Sequence, residues 1–71
     1  MMELKTFYTL ISLAHDAIFN IARTEEAISR DELLIIGERL DAAKMARELR
    51  RINRVIDLTR FEIQKQDNGA I

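Results

Sequence analysis

Proline is absent from all 71 residues, and glycine stands only at positions 37 and 69. These two residue types interrupt regular backbone more strongly than any others, so the chain is free to run in long unbroken elements. Apolar spacing says which kind. Leu4, Phe7, Ile11, Ala14, Ile18 and Ile21 follow alternating steps of three and four, and Ile28 returns to the same register after Glu25. A seam of that period predicts helix packed on helix. Leu10 and Ala17 widen the stripe, while Thr6, Thr9, Asp16, Asn20 and Arg23 lie mostly away from it. Strand-like alternation is missing, and dense Glu, Arg, Leu and Ala favour helix throughout.

The clearest break is Ser29-Arg30-Asp31-Glu32, where a serine followed three residues later by glutamate has the form of a capping box. It predicts helix 1 over about 3–28, a tight turn about 28–30 and helix 2 from about 30 to 66. Asp67-Asn68-Gly69 supplies the next stop signal, leaving a short tail over 67–71. At about 1.5 Å per residue, helix 2 would outrun helix 1 and leave Ile56, Leu58, Phe61 and Ile63 unpaired in an antiparallel hairpin. Gly37 costs only about 1 kcal/mol in a helix interior, so it reads as a point of close helix approach. The rival is a three-helix monomer with helix 2 broken near Gly37 or Asn53.

Helix 2 is apolar on more than one side. Leu33, Ile36, Leu40 and Ala43 form one stripe, and Met45, Leu49, Ile52, Ile56 and Ile63 form another roughly opposite. A helix with two apolar sides touches two neighbours. One is helix 1, and the other is expected from a second chain. Size points the same way, because a domain this short buries only about 60% of its unfolded surface and needs some further source of stability. With no cysteine and a single histidine, His15, disulfides and Cys/His metal sites are excluded. The expectation is therefore an all-α antiparallel hairpin, 1–71 forming one domain, that pairs as a homodimer into a four-helix bundle. Leu4, Phe7, Ile11, Ile18, Met45, Leu49, Ile52 and Ile56 should build its core.

Charge is uneven beneath a formal total of -1. Residues 1–43 carry four Lys/Arg against eight acids, residues 44–60 carry six against two, and residues 61–71 carry one against two. Lys44, Arg47, Arg50, Arg51 and Arg54 fall on one side of helix 2, opposite the Met45–Ile63 seam. In a solvated face such residues would pair with acids such as Glu48, at i,i+4 from Lys44. The preponderance of arginine, which suits bidentate contact with carboxylate or phosphate, points instead to a partner-binding stripe. An acidic protein surface is the expected partner, with RNA or DNA as the alternative. The acidic first half would repel a polyanion, and no aromatic alternates with the arginines to stack bases. Tyr8, His15 and Phe19, with Ser12, line a second flank of helix 1, and Leu58 and Phe61 extend the arginine side toward the C-terminus. These form a possible secondary patch, although aromatics at helical spacing ordinarily pack.

Catalysis finds little support. Ser12 and His15 stand at i,i+3, yet nothing supplies the third group, oxyanion site and pocket that a nucleophile requires. His15 has Phe19, not a ligand, at i+4, and no phosphate-binding loop occurs. The expectation is no enzyme activity, no cofactor and no metal. No apolar run approaches the roughly 20 residues that span a bilayer, and no secretion signal opens the chain, so a cytoplasmic location is expected. Residues 44–63 have a basic and an apolar face, as membrane-surface helices do, but lack tryptophan and continue a bundle seam.

Two helices joined by a tight turn over roughly residues 3–56 resemble the Rop family of plasmid copy-number regulators. Those proteins are dimers of helical hairpins that bind paired RNA loops. The resemblance lies in architecture, with no shared residue motif, and implies a small regulatory protein of the kind that bacteria, plasmids and phages encode. A second comparison is with the helical-hairpin phosphatases of sporulation regulators, which carry a Ser-Gln-Glu-Leu-Asp motif. Gly37-Glu38-Arg39-Leu40-Asp41 keeps only the final Leu-Asp of it.

Overall fold

Two helices make the fold of the computed structural model, which describes residues 3–66 with their side chains: α1 (Leu4–Ser29) and α2 (Ile36–Ala70). Helix α2 runs through the expected stop at Asp67-Asn68-Gly69 as far as Ala70, so the expected tail over 67–71 is helical to that point; Ile71 lies outside the described residues. The helices run antiparallel, as the ties between them show: Tyr8 meets Gln64, His15 meets Asn53, Glu26 meets Arg50 and Ser29 meets Arg39. The hairpin is 53 Å long and only 16 by 15 Å across.

The connection differs from the expected tight turn. Ser29 does not cap a second helix; it is the last residue of α1, and its hydroxyl donates back to the Glu26 carbonyl at 2.6 Å. Asp31 then accepts the Leu33 N–H on its side chain at 3.0 Å, while its carbonyl accepts the Leu34 N–H at 3.1 Å. Such local side-chain bonds compete with helix propagation, so α2 begins at Ile36 and residues 30–35 form the connection. Arg39 reaches back to donate its Nε to the Ser29 carbonyl at 3.2 Å. That bond satisfies one of the carbonyls left open at the end of α1.

Starting α2 six residues later than expected changes what its far end meets. Ile63 packs against the N-terminal turns of α1 and is buried, and Ile56 is half-buried, whereas Leu58 and Phe61 remain exposed. Helix α2 is continuous through both Gly37 and Asn53, which disposes of the three-helix monomer. Gly37 sits in its first turn with open space where a Cβ would stand, so it serves no close approach.

The seam between the helices is not the one the largest side chains predict. On α1 it runs through Tyr8, Ile11, His15, Ile18, Ala22 and Ser29; on α2 it runs through Arg39, Ala42, Ala46, Leu49, Asn53, Ile56 and Ile63. Its most buried members are small or polar: Ala22, Ala42, Ala46 and Asn53, with Ile63. Alanine at these steps lets the two backbones approach, and antiparallel helices then pack along a heptad of their own. Of the eight residues expected to form the core, Ile11, Ile18, Leu49 and Ile56 are half-buried by this packing. Leu4, Phe7, Met45 and Ile52 are not, with Met45 51% and Ile52 47% exposed. The heptad through Phe7, Ala14 and Ile21 lies beside the hairpin seam and not within it.

Candidate interaction surface

The hairpin has two broad faces of opposite chemistry. Phe19 and Glu26 stand on one flank of the α1 seam, and both meet Arg50 of α2. Its guanidinium lies 4.8 Å from the centre of the Phe19 ring, and its Nη2 donates to Glu26 Oε1 at 2.6 Å. His15 Nε2 lies 3.3 Å from Asp57 Oδ1, and Arg60 donates to Ser12 Oγ at 3.4 Å as well as to Asp57. These contacts place the two polar flanks side by side. The remaining flanks therefore share the opposite face: Phe7, Ala14 and Ile21 of α1 beside Met45 and Ile52 of α2, with Leu10 and Ala17 along its edge. Ile21 is 51% exposed, and Phe7 and Leu10 are exposed with it.

Along the polar face two shallow clefts adjoin. One, of about 380 Å³, is lined by Glu26, Ser29, Arg30, Arg47, Arg50 and Arg54. The next, of about 410 Å³, shares Arg50 and Arg54 and adds His15, Phe19, Asn53 and Asp57. Together they make one groove with four arginines. Arg50 is occupied by Glu26 and stacked on Phe19, an arrangement that attracts a cation to a ring face. Among the described residues, Arg30, Arg47 and Arg54 have no ion-pair partner.

The predicted stripe is thus divided. Arg47, Arg50 and Arg54 line the groove, whereas Lys44 and Arg51 are exposed on the ridge behind it, Arg51 donating to Glu48 at 2.9 Å. Glu48 takes that i,i+3 partner in place of Lys44. The expected secondary patch is divided too. Tyr8, His15 and Phe19 pack toward α2, Tyr8 accepting a hydrogen bond from Gln64 at 3.0 Å, while Leu58 is exposed in register with Lys44 and Arg51 and Phe61 is exposed in register with Arg47 and Arg54.

Electrostatics follows these contacts. The hydrogen bond from Arg50 holds the Glu26 carboxyl below its ordinary pKa, partial burial opposes that effect, and the charges of Arg50 and Arg30 reinforce it. Asp57 is lowered in the same way, chiefly by its hydrogen bond from Arg60 and then by the neighbouring His15. Both acids belong to the groove as fixed negative charges interleaved with its arginines.

Three further residues matter and were not singled out. Arg30, the residue that caps the C-terminus of α1 in helical conformation, lines the groove beside Ser29, and Arg60 ties Ser12 and Asp57 together. Asn53 is 5% exposed at a seam position, where its Nδ2 donates to the His15 carbonyl at 3.1 Å and its Oδ1 has no partner. The register Ala42, Ala46, Leu49, Asn53, Ile56, Arg60, Ile63 was present in the sequence as steps of three and four, hidden by the bulkier residues beside it. No cluster of three potential metal ligands occurs among the described residues, and no helix of the described residues is long and apolar enough to cross a membrane. Compared with protein-family models, curated proteins and solved structures, the chain shows no match in any of the three.

Proposed function

We propose that the chain is a non-enzymatic interaction protein that binds an acidic protein surface through the Arg30/Arg47/Arg50/Arg54 groove and folds as a homodimer joined at its apolar face. The observation that carries the reading is the groove itself. Three guanidinium groups without an ion-pair partner among the described residues flank a fourth that already holds a carboxylate, Glu26, in charge-assisted geometry. Acids of a partner protein would meet the same donors. Glu26 and Asp57 stand between the arginines, a mixed-sign pattern suited to discrete protein charges. A nucleic-acid strand, which gains affinity from base stacking, finds only Phe19 in the groove, and Arg50 already lies over one face of that ring.

The dimer is supported by what one hairpin fails to bury. No large side chain is fully buried within the described hairpin, so one layer of helices contributes little hydrophobic stabilisation. The apolar positions Phe7 to Ile21 run about 21 Å along α1 at 1.5 Å per residue, with Met45 and Ile52 of α2 beside them, and this is the area a second copy would cover. Phe7, Leu10, Ala14, Ala17, Ile21, Met45 and Ile52 make its centre apolar, with Glu38, Asp41 and Glu48 along its α2 margin. A second copy offers the same apolar chemistry in a closed twofold arrangement.

The test is a fluorescence-anisotropy titration at about 50 and 200 mM salt against a labelled polyglutamate peptide, duplex DNA and structured RNA. Binding of the peptide, lost in the Arg47→Glu/Arg54→Glu chain, is the expected result. Tight nucleic-acid binding that falls by orders of magnitude between those salt concentrations would replace this reading with the nucleic-acid one.

A further inference from the structure

The apolar face and the arginine groove lie on opposite broad sides of one thin hairpin, and that disposition has a consequence for valency. When two hairpins join by their apolar faces, each groove points away from the other copy. Two helix layers of about 10–12 Å each separate them, so the grooves face outward in opposite directions, on the order of 20 Å apart. A single flat or convex partner surface reaches only one of them.

We infer that the dimer is a bivalent bridge, holding two acidic partners on opposite sides of a four-helix bundle. The inference rests on the groove and the dimer proposed above and adds the stoichiometry and the geometry of engagement. Arg47 and Arg54 carry it because they line the groove without ion-pair partners among the described residues. They also lie on the flank of α2 away from Met45 and Ile52, so dimerisation leaves them open. The bridge has a functional meaning distinct from simple occupancy: it clusters its partners, and a partner with several acidic segments is bound with avidity set by how many grooves it engages.

The experiment mixes two batches of a twelve-residue polyglutamate peptide, one bearing a donor fluorophore and one an acceptor, with the full chain at about 50 mM salt. Energy transfer is expected to rise until one dimer is present per two peptides, then to fall as excess dimer separates them. Co-refolding with a large excess of the Arg47→Glu/Arg54→Glu chain yields dimers with one intact groove, which are expected to keep peptide binding by anisotropy and to lose transfer. Sedimentation equilibrium on the same samples reports the mass. A dimer that binds peptide with no transfer at any ratio overturns the bridge alone and leaves the proposed function standing. Monomeric mass, or absence of peptide binding, overturns the proposed function and the bridge with it, and the two failures are told apart by which readout gives way.

Discussion

Two apolar stripes run side by side along this hairpin, and they are built differently. The stripe between α1 and α2 consists of Ala22, Ala42, Ala46 and Asn53 with a few half-buried aliphatics, whereas the stripe on the outer face holds Phe7, Leu10, Ile21, Met45 and Ile52. Small residues set how closely two backbones approach. Large ones supply the area whose removal from water stabilises a fold, at about 25 cal/mol per Å². The hairpin thus uses its small seam for geometry and leaves Phe7, Leu10, Ile21, Met45 and Ile52 exposed, the area that the proposed dimer would cover.

The largest expected effect breaks the outer stripe. Ile52→Asp places a charge without a partner in the proposed dimer interface, at a cost on the order of 3–5 kcal/mol. Sedimentation equilibrium and circular dichroism should report a monomer, an unfolded chain or both. A soluble, fully helical Ile52→Asp protein of unchanged mass would defeat the bundle.

Next comes the inner seam. Ala22 is completely buried, so Ala22→Leu overpacks the helix contact and should lower the urea-unfolding free energy by about 1–3 kcal/mol. Ala14→Leu, on the exposed stripe, tests the contrast. It should be better tolerated than Ala22→Leu, and an equal loss at both positions would erase the distinction between the stripes.

A smaller change of opposite sign is expected at Asn53. Its Oδ1 is buried without a partner, and a lone polar residue in a heptad seam sets register at a cost in stability. Asn53→Leu should raise stability by about 1 kcal/mol, with broader amide signals in NMR spectra as alternative helix registers become accessible. Unaltered stability would mean that the Asn53–His15 bond compensates fully for the orphan oxygen.

The smallest effect concerns pH. Glu26 and Asp57 have pKa values lowered in the fold, so their contribution is present above the unfolded-state carboxylate pKa, about 4. It is lost as the pH falls through the lower folded values, because the unfolded chain then binds more protons. Urea midpoints should therefore decline below about pH 4, and Glu26→Gln should shallow that decline. Indistinguishable pH profiles for the two chains would remove the Arg50–Glu26 pair from any role in stability.

Much of the helical hairpin was legible in the residues, and the reasons are local. Absence of proline and the spacing of Leu4 through Ile21 predict long helices, and the lack of cysteine removes the alternatives of disulfide and thiolate metal. The turn was misplaced because Ser29 and Glu32 match a capping box in sequence, while Asp31 forms a competing bond that only the folded connection displays. The choice of seam was misjudged for a related reason. Periodicity weights bulky residues, so it finds the widest stripe and cannot rank it against a neighbouring register of alanines that allows closer contact.

The groove marks the same boundary. Arg47, Arg50 and Arg54 share a helix flank by the arithmetic of 3.6 residues per turn, and that arithmetic is a property of the sequence alone. Whether they stand as a solvated ridge or as one wall of a cleft depends on what lies opposite. Glu26, Phe19 and Arg30 arrive there from α1 and the connection, far away in the chain, and the pairing of Arg50 leaves Arg47 and Arg54 as the cations of α2 in the groove that have no ion-pair partner among the described residues. Sequence determined the helices, their amphipathic stripes and their charges, because those depend on near neighbours. Tertiary structure decided which stripe each helix spends on the other, because that choice turns on backbone approach and on side chains that meet only when the chain folds back.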